Sequence, residues 1–120
     1  MAEGNEPRPL DGYTIGSFGN TKHANITSAE IAFYEKIGRI VSVHLTFTVG
    51  TSISGATTQI FSGLPKSKNT VRFRAPNIAD ANWPPLRLAI TTGGNITNSY
   101  SLSDYIPAGT YETAVTYISE

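Results

Sequence analysis

Apolar and polar residues alternate with a period of two along most of the chain from residue 26 onward, the pattern of half-buried β-strands. The clearest run is Arg39 to Val49, where Val41, Val43, Leu45, Phe47 and Val49 alternate with Ser42, His44, Thr46 and Thr48. Before it, Ile26 to Lys36 carries Ile31, Phe33 and Glu35 on one face and Ala32, Tyr34 and Lys36 on the other, and Ile37-Gly38 joins the two runs as a tight turn. Shorter strands are predicted over Ala56 to Phe61 and over Val71 to Ala75, the latter with Arg72 and Arg74 on its outer face. Leu86 to Ile90 carries Arg87 outward, and Gly93-Gly94-Asn95 supplies positive φ for a hairpin into Ile96 to Leu102. Thr110 to Ser119 closes the chain, with Tyr111, Val115 and Tyr117 set against Glu112, Ala114 and Thr116.

The punctuation between these runs is turn chemistry. Gly50 to Gly55, Lys66 to Asn69 and Ser103 to Gly109 read as loops, and the three prolines of Pro76 to Pro85 deny that segment the ladder donors of a central strand. No window of 11 residues holds a 3.6-residue period. The expectation is an all-β chain, an antiparallel β-sandwich or jelly-roll-like head of seven to eight short strands. Residues 1–22 hold two of the seven prolines, four of the eleven glycines and no sustained alternation. They read as an extended leader or connector, or as a vector-derived scar with a frayed terminus. The folded domain is then expected over residues 23–120.

Composition narrows the function more than the fold. Nine Lys+Arg balance nine Asp+Glu, and only 15% of residues are charged, well below the usual quarter. Ser and Thr together number 26. No basic field exists to neutralise nucleic-acid phosphates or to hold an anionic membrane. No apolar stretch approaches the roughly 20 residues of a membrane-spanning helix, and no secretory signal opens the chain. The absence of Cys excludes disulfides and thiol catalysis. Low charge also leaves little to repel a second copy of the chain.

Candidate chemistry is sparse. The only side-chain bases for nucleophilic catalysis are His23, in the leader, and His44, on the polar face of the best strand. His44 reads as a solvent-facing strand residue, with an oligomer interface as the alternative. Asp80 and Asp104 both fall in loops and could converge, but no pair of acids forms a local glycosidase motif. No transition-metal, calcium or nucleotide motif is present. Asn25-Ile26-Thr27 and Asn95-Ile96-Thr97 match the glycosylation acceptor pattern by chance in so hydroxyl-rich a chain. Binding chemistry is richest in the loop holding Trp83, the sole Trp, beside Asp80 and Asn82. An aromatic face next to carboxylate and amide groups suits a sugar ring, although Trp83 can equally cap the core or pack on a proline. Arg72, Arg74 and Arg87 alternate outward on two strands, so they either line a patch for an anionic saccharide or phosphate or form a plain solvated face.

Ala29 to Phe47, Ile60 to Pro65 and Val115 to Ser119 carry a resemblance. In order, Lys36-Ile37-Gly38-Arg39-Ile40-Val41, Phe61-Ser62-Gly63-Leu64-Pro65, Gly93-Gly94-Asn95-Ile96 and Tyr117-Ile118 stand where similar motifs stand in one group of proteins. The chain resembles the C-terminal receptor-binding heads of tail-fibre and baseplate proteins of long-tailed bacteriophages, over roughly residues 26–119; Arg74 to Arg87 does not match that pattern. The resemblance implies a homotrimeric, non-catalytic head on the virion tail, without a cofactor and joined to other tail proteins through its N-terminal end. Such a head would bind host cell-wall or surface polysaccharide, with Trp83, Asp80, Asn82, Arg72, Arg74, Tyr105 and Asp104 as candidate contacts. A structural tail decoration that binds only virion proteins, or a stand-alone carbohydrate-binding module, are the alternatives.

Overall fold

A computed structural model describes residues 12–55, 58–79, 84–99 and 105–120. Ten strands run in chain order: β1 (Tyr13–Ser17), β2 (Ile26–Ile37), β3 (Ile40–Val49), β4 (Ile53–Ser54), β5 (Gln59–Phe61), β6 (Val71–Ala75), β7 (Leu86–Ile90), β8 (Ile96–Asn98), β9 (Tyr105–Ile106) and β10 (Gly109–Ile118). They form two four-stranded antiparallel sheets, β1-β2-β3-β10 and β5-β8-β7-β6, with β4 and β9 as a separate two-stranded pair. The all-β sandwich expected from the alternation is the observed architecture. The second sheet has Greek-key order, because β6, β7 and β8 follow one another as hairpins while β5 lies beside β8.

The core is one cluster drawn from both sheets. Val41, Val43, Leu45, Phe47 and Val49 of β3 point inward, as the period-2 pattern requires, and meet Leu88, Ile90, Ile96, Ile60 and Phe61 of the opposing sheet. Aromatic rings bridge the two layers: Phe47 meets Phe61 edge-on at 5.5 Å, Phe61 meets Phe18 edge-on at 5.5 Å, and Phe47 lies 5.6 Å from Tyr111. β10 pairs with β3 without interruption from Gly109↔Val49 to Ile118↔Ile40, so the last strand forms one edge of the first sheet along the whole length of β3.

Several elements depart from the sequence expectation. The segment read as a leader up to residue 22 contributes β1, paired from Tyr13↔Ile37 to Ser17↔Phe33, and places Phe18 in the core at 1% exposure. Its strand is short and is interrupted by Gly16, so no sustained alternation marks it. Gly50 to Gly55 contains β4, whose Ile53 is fully covered where β4 meets β9; two residues are too few to register as a period. β2 breaks its alternation through register shifts between Ile26 and Ser28 and between Ser28 and Ile31. These bulges let Ile26, Ala29 and Ala32, which differ in parity, all face the core.

The two buried tyrosines keep their hydroxyls satisfied: Tyr111 donates to the Pro107 carbonyl at 2.8 Å, and Tyr117 donates to the Pro65 carbonyl at 2.7 Å. Burial pushes the Tyr117 phenol above its ordinary value, with the neighbouring Tyr34 phenol adding to the effect. The unfolded chain ionises this group near pH 10 and the folded chain only at higher pH. The stability it contributes is therefore complete below about pH 10 and is lost as pH rises towards the folded value. A titration followed by tyrosinate absorbance is expected to show phenol ionisation coupled to unfolding, and Tyr117→Phe is expected to diminish that coupled step.

Candidate functional site

β6 and β7 pair in register from Val71↔Ile90 to Ala75↔Leu86. The sequence Val-Arg-Phe-Arg-Ala turns Val71, Phe73 and Ala75 towards the core and leaves Arg72 and Arg74 exposed. On β7, Leu86 and Leu88 face inward and Arg87 outward. The register sets Arg74 directly opposite Arg87. Like charges in that relation repel, typically by a few tenths of a kcal/mol to about 1 kcal/mol. Together with Phe73 and Ser99 the three arginines line a shallow depression of about 480 Å³, and no carboxylate of a described residue lines it. Arg72, Arg74 and Arg87 are thus brought together as the alternation predicted, on the outer side of one sheet.

Of the other predicted contacts, Asp80, Asn82, Trp83 and Asp104 lie outside the described residues. Tyr105 sits in β9 opposite Ser54, and its side chain is likewise outside the described set. In the chain, Asp80, Asn82 and Trp83 fall between the arginine-bearing strands β6 and β7, and Asp104 falls between β8 and β9.

His44 lies on the opposite side of the sandwich, on the outer face of the first sheet. Its ring stacks on Phe33, its register partner, with centroids 4.7 Å apart and planes 17° from parallel. His44 Nε2 stands 3.3 Å from Glu35 Oε1, and the Tyr13 hydroxyl donates to Glu35 Oε2 at 3.1 Å. A groove of about 670 Å³ runs beside this stack over Ala114, bounded by Ile31, Thr46, Pro76 and Glu112. Sequence reading singled out His44 but not Phe33 or Glu112. The signal was the apolar set Ile31 and Phe33 alternating with Ala32 and Tyr34, which gives the strand two apolar faces and does not say which one is outside.

The hydroxyls near His44 are engaged elsewhere. Ser42 pairs with Thr116 at 3.4 Å, Thr48 with Thr110 at 3.0 Å, and Thr46 donates to Glu112 at 3.3 Å. His44 and Glu35 are thus a paired base and acid, and among the described residues no Ser or Thr hydroxyl is hydrogen-bonded to either. Among the described residues, no three His, Asp or Glu side chains converge in a way that could hold a metal ion. The Ser and Thr abundance on this face is used for cross-strand pairing across the sheet.

No family model matches the chain, and no curated protein is similar to it.

Proposed function

We propose that this β-sandwich is a non-catalytic recognition head of the phage tail-adhesin kind, which attaches to an anionic saccharide on a host cell surface. The observation that carries the reading is the placement of Arg72, Arg74 and Arg87 around one shallow depression. Arg72 and Arg74, exposed on the outer face of β6, can engage an anion by charge-assisted hydrogen bonds. A shallow, open surface on a sheet suits one stretch of an extended polymer better than a small enclosed ligand. Phosphodiester-linked and uronate polymers share the anionic chemistry; a neutral glucan lacks it.

The test is binding of the full chain to these three polymers and to intact Gram-positive cells, with wild type, Arg72→Glu and Arg74→Glu. Retention on one or both anionic polymers, weakening as salt is raised, is expected, with little on the neutral glucan. Each reversal is expected to weaken binding about tenfold or more, the worth of one charge-assisted hydrogen bond. Equal binding to the neutral glucan, or unchanged affinity after both reversals, would refute the reading. Release of sugar from any of the polymers would refute its non-catalytic part.

A further inference from the structure

The edges of the two sheets are treated unequally. At β10, the N–H of Ile78 donates to Thr110, Glu112 donates to Pro76, Lys68 donates to Ile118 and Glu120 donates to Lys66, so flanking loops cap both ends of that edge. At β5, His23 donates to Ile60 and Ser62 donates to Thr21. On β6 the Arg74 carbonyl accepts from the Thr113 hydroxyl at 2.7 Å. β1 has no such cover: among the described residues no backbone hydrogen bond reaches its outer side. Tyr13-Thr14-Ile15-Gly16-Ser17 also contains no Lys, no Pro and no bulge, three of the devices that blunt an edge.

The direction of each backbone group follows from its ladder. Gly12 accepts from Gly38 and Phe18 donates to Ala32, so the even-numbered residues turn their polar groups towards β2. Tyr13, Ile15 and Ser17 therefore turn their N–H and C=O groups outward. Their side chains share the outer face of the sheet with Phe33, Glu35 and Ile37, and Ile15 is 60% exposed there. Gly16 keeps the strand flat beneath the Tyr34 ring, where a Cβ would lie 2.2 Å from the aromatic carbons.

We infer that β1 is the pairing edge for a second copy of this chain, joined antiparallel about a two-fold axis at Ile15. The edge is complementary to itself in that arrangement. Ile15 meets Ile15 of the second copy as a hydrogen-bonded pair, and each Tyr13 meets a Ser17, large beside small, with both backbone bonds made in every pair. No charge on the strand opposes the approach. The two four-stranded sheets become one sheet of eight, and the exposed isoleucines at positions 15 and 37 continue across the junction. An isologous pair of this kind differs from the three-fold head that the resemblance implies, and it does not depend on the arginine depression, which lies on the other sheet.

The test is the mass of the full-length chain by light scattering and sedimentation up to sub-millimolar concentration, with amide exchange of β1. Wild type is expected to be a dimer at the upper end, with the amides of Tyr13, Ile15 and Ser17 losing protection on dilution. Ile15→Pro removes an outward N–H and none of the backbone bonds to β2, and Ile15→Lys sets like charges against each other; both are expected to be monomers that melt as one folded species. Ile118→Lys, on the far strand of the same face, is expected to stay dimeric. A trimer, a dimer that survives both Ile15 changes, or a monomer throughout would overturn the inference. A monomer whose β1 amides stay protected at every concentration would assign the edge to another part of the same chain, and that too overturns it.

Discussion

Phe47→Ala is expected to cost about 3–5 kcal/mol, a large part of the stability of a domain whose total lies in the range of about 5–15 kcal/mol. Phe47 is fully buried in the middle of β3 and touches the opposite sheet through the Phe61 ring and its own sheet through Tyr111. Phe61 passes the contact on to Phe18 in the loop after β1. Truncation removes the transfer energy of one ring, two aromatic contacts and the support of a third ring. The sheets cannot close the cavity, because β3 is held in register by β2 on one side and β10 on the other. Chemical denaturation should show a midpoint far below wild type with an unchanged slope. Phe33→Ala is the matched comparison. Phe33 belongs to the adjacent strand but stands on the outer face against His44, so its loss is expected to cost about 1 kcal/mol or less. Similar costs at the two positions would mean that the layer assignment is wrong.

The second large effect is expected at Gly94, in the turn between β7 and β8. Its φ is +80°, where a side chain costs about 1–2 kcal/mol, and a Cβ would fall 2.2 Å from the Leu64 carbonyl oxygen. The neighbour is backbone and is itself anchored: the Leu64 N–H donates to the Gly94 carbonyl at 3.1 Å, and Pro65 accepts from Tyr117. Gly94→Ala must therefore either push the Gly63–Pro65 segment off the hairpin or open the turn, and a loss of about 3 kcal/mol or more follows from the two costs together. Gly38, in the β2–β3 turn, has a φ of +60°, and a Cβ there would meet no atom within 4 Å. Gly38→Asn is expected to cost about 1 kcal/mol or less, since Asn tolerates this conformation. Parallel melting curves of the two variants check the contrast. A tolerated Gly94→Ala would show that the packing of the Leu64 carbonyl against the turn is not required.

The arginine cluster was readable because it rests on two short strands whose alternation is clean, so side-chain direction follows from parity alone. That Arg74 faces Arg87 was not readable, because register depends on the turn between the strands, and three prolines hide its geometry. The Phe33–His44–Glu35–Tyr13 group was legible only in pieces. It draws on three strands whose order in the sheet no local signal reveals, and one of those strands, β1, lies in a segment with the composition of a connector.

What the amino-acid sequence determined by itself is the class: strands, turns and the inner face of β3, because the two-residue period and positive-φ glycines are local properties of the chain. It also determined a charge-poor surface rich in hydroxyls. Only the tertiary structure decided which face of β2 is buried, because bulges change its parity and both faces are apolar. Only it decided that β1 joins the first sheet, and that loops cap the edge of β10 while β1 is left uncovered among the described residues. Strand order and edge protection are set by contacts between residues far apart in the chain, and those contacts leave no periodic trace in the sequence.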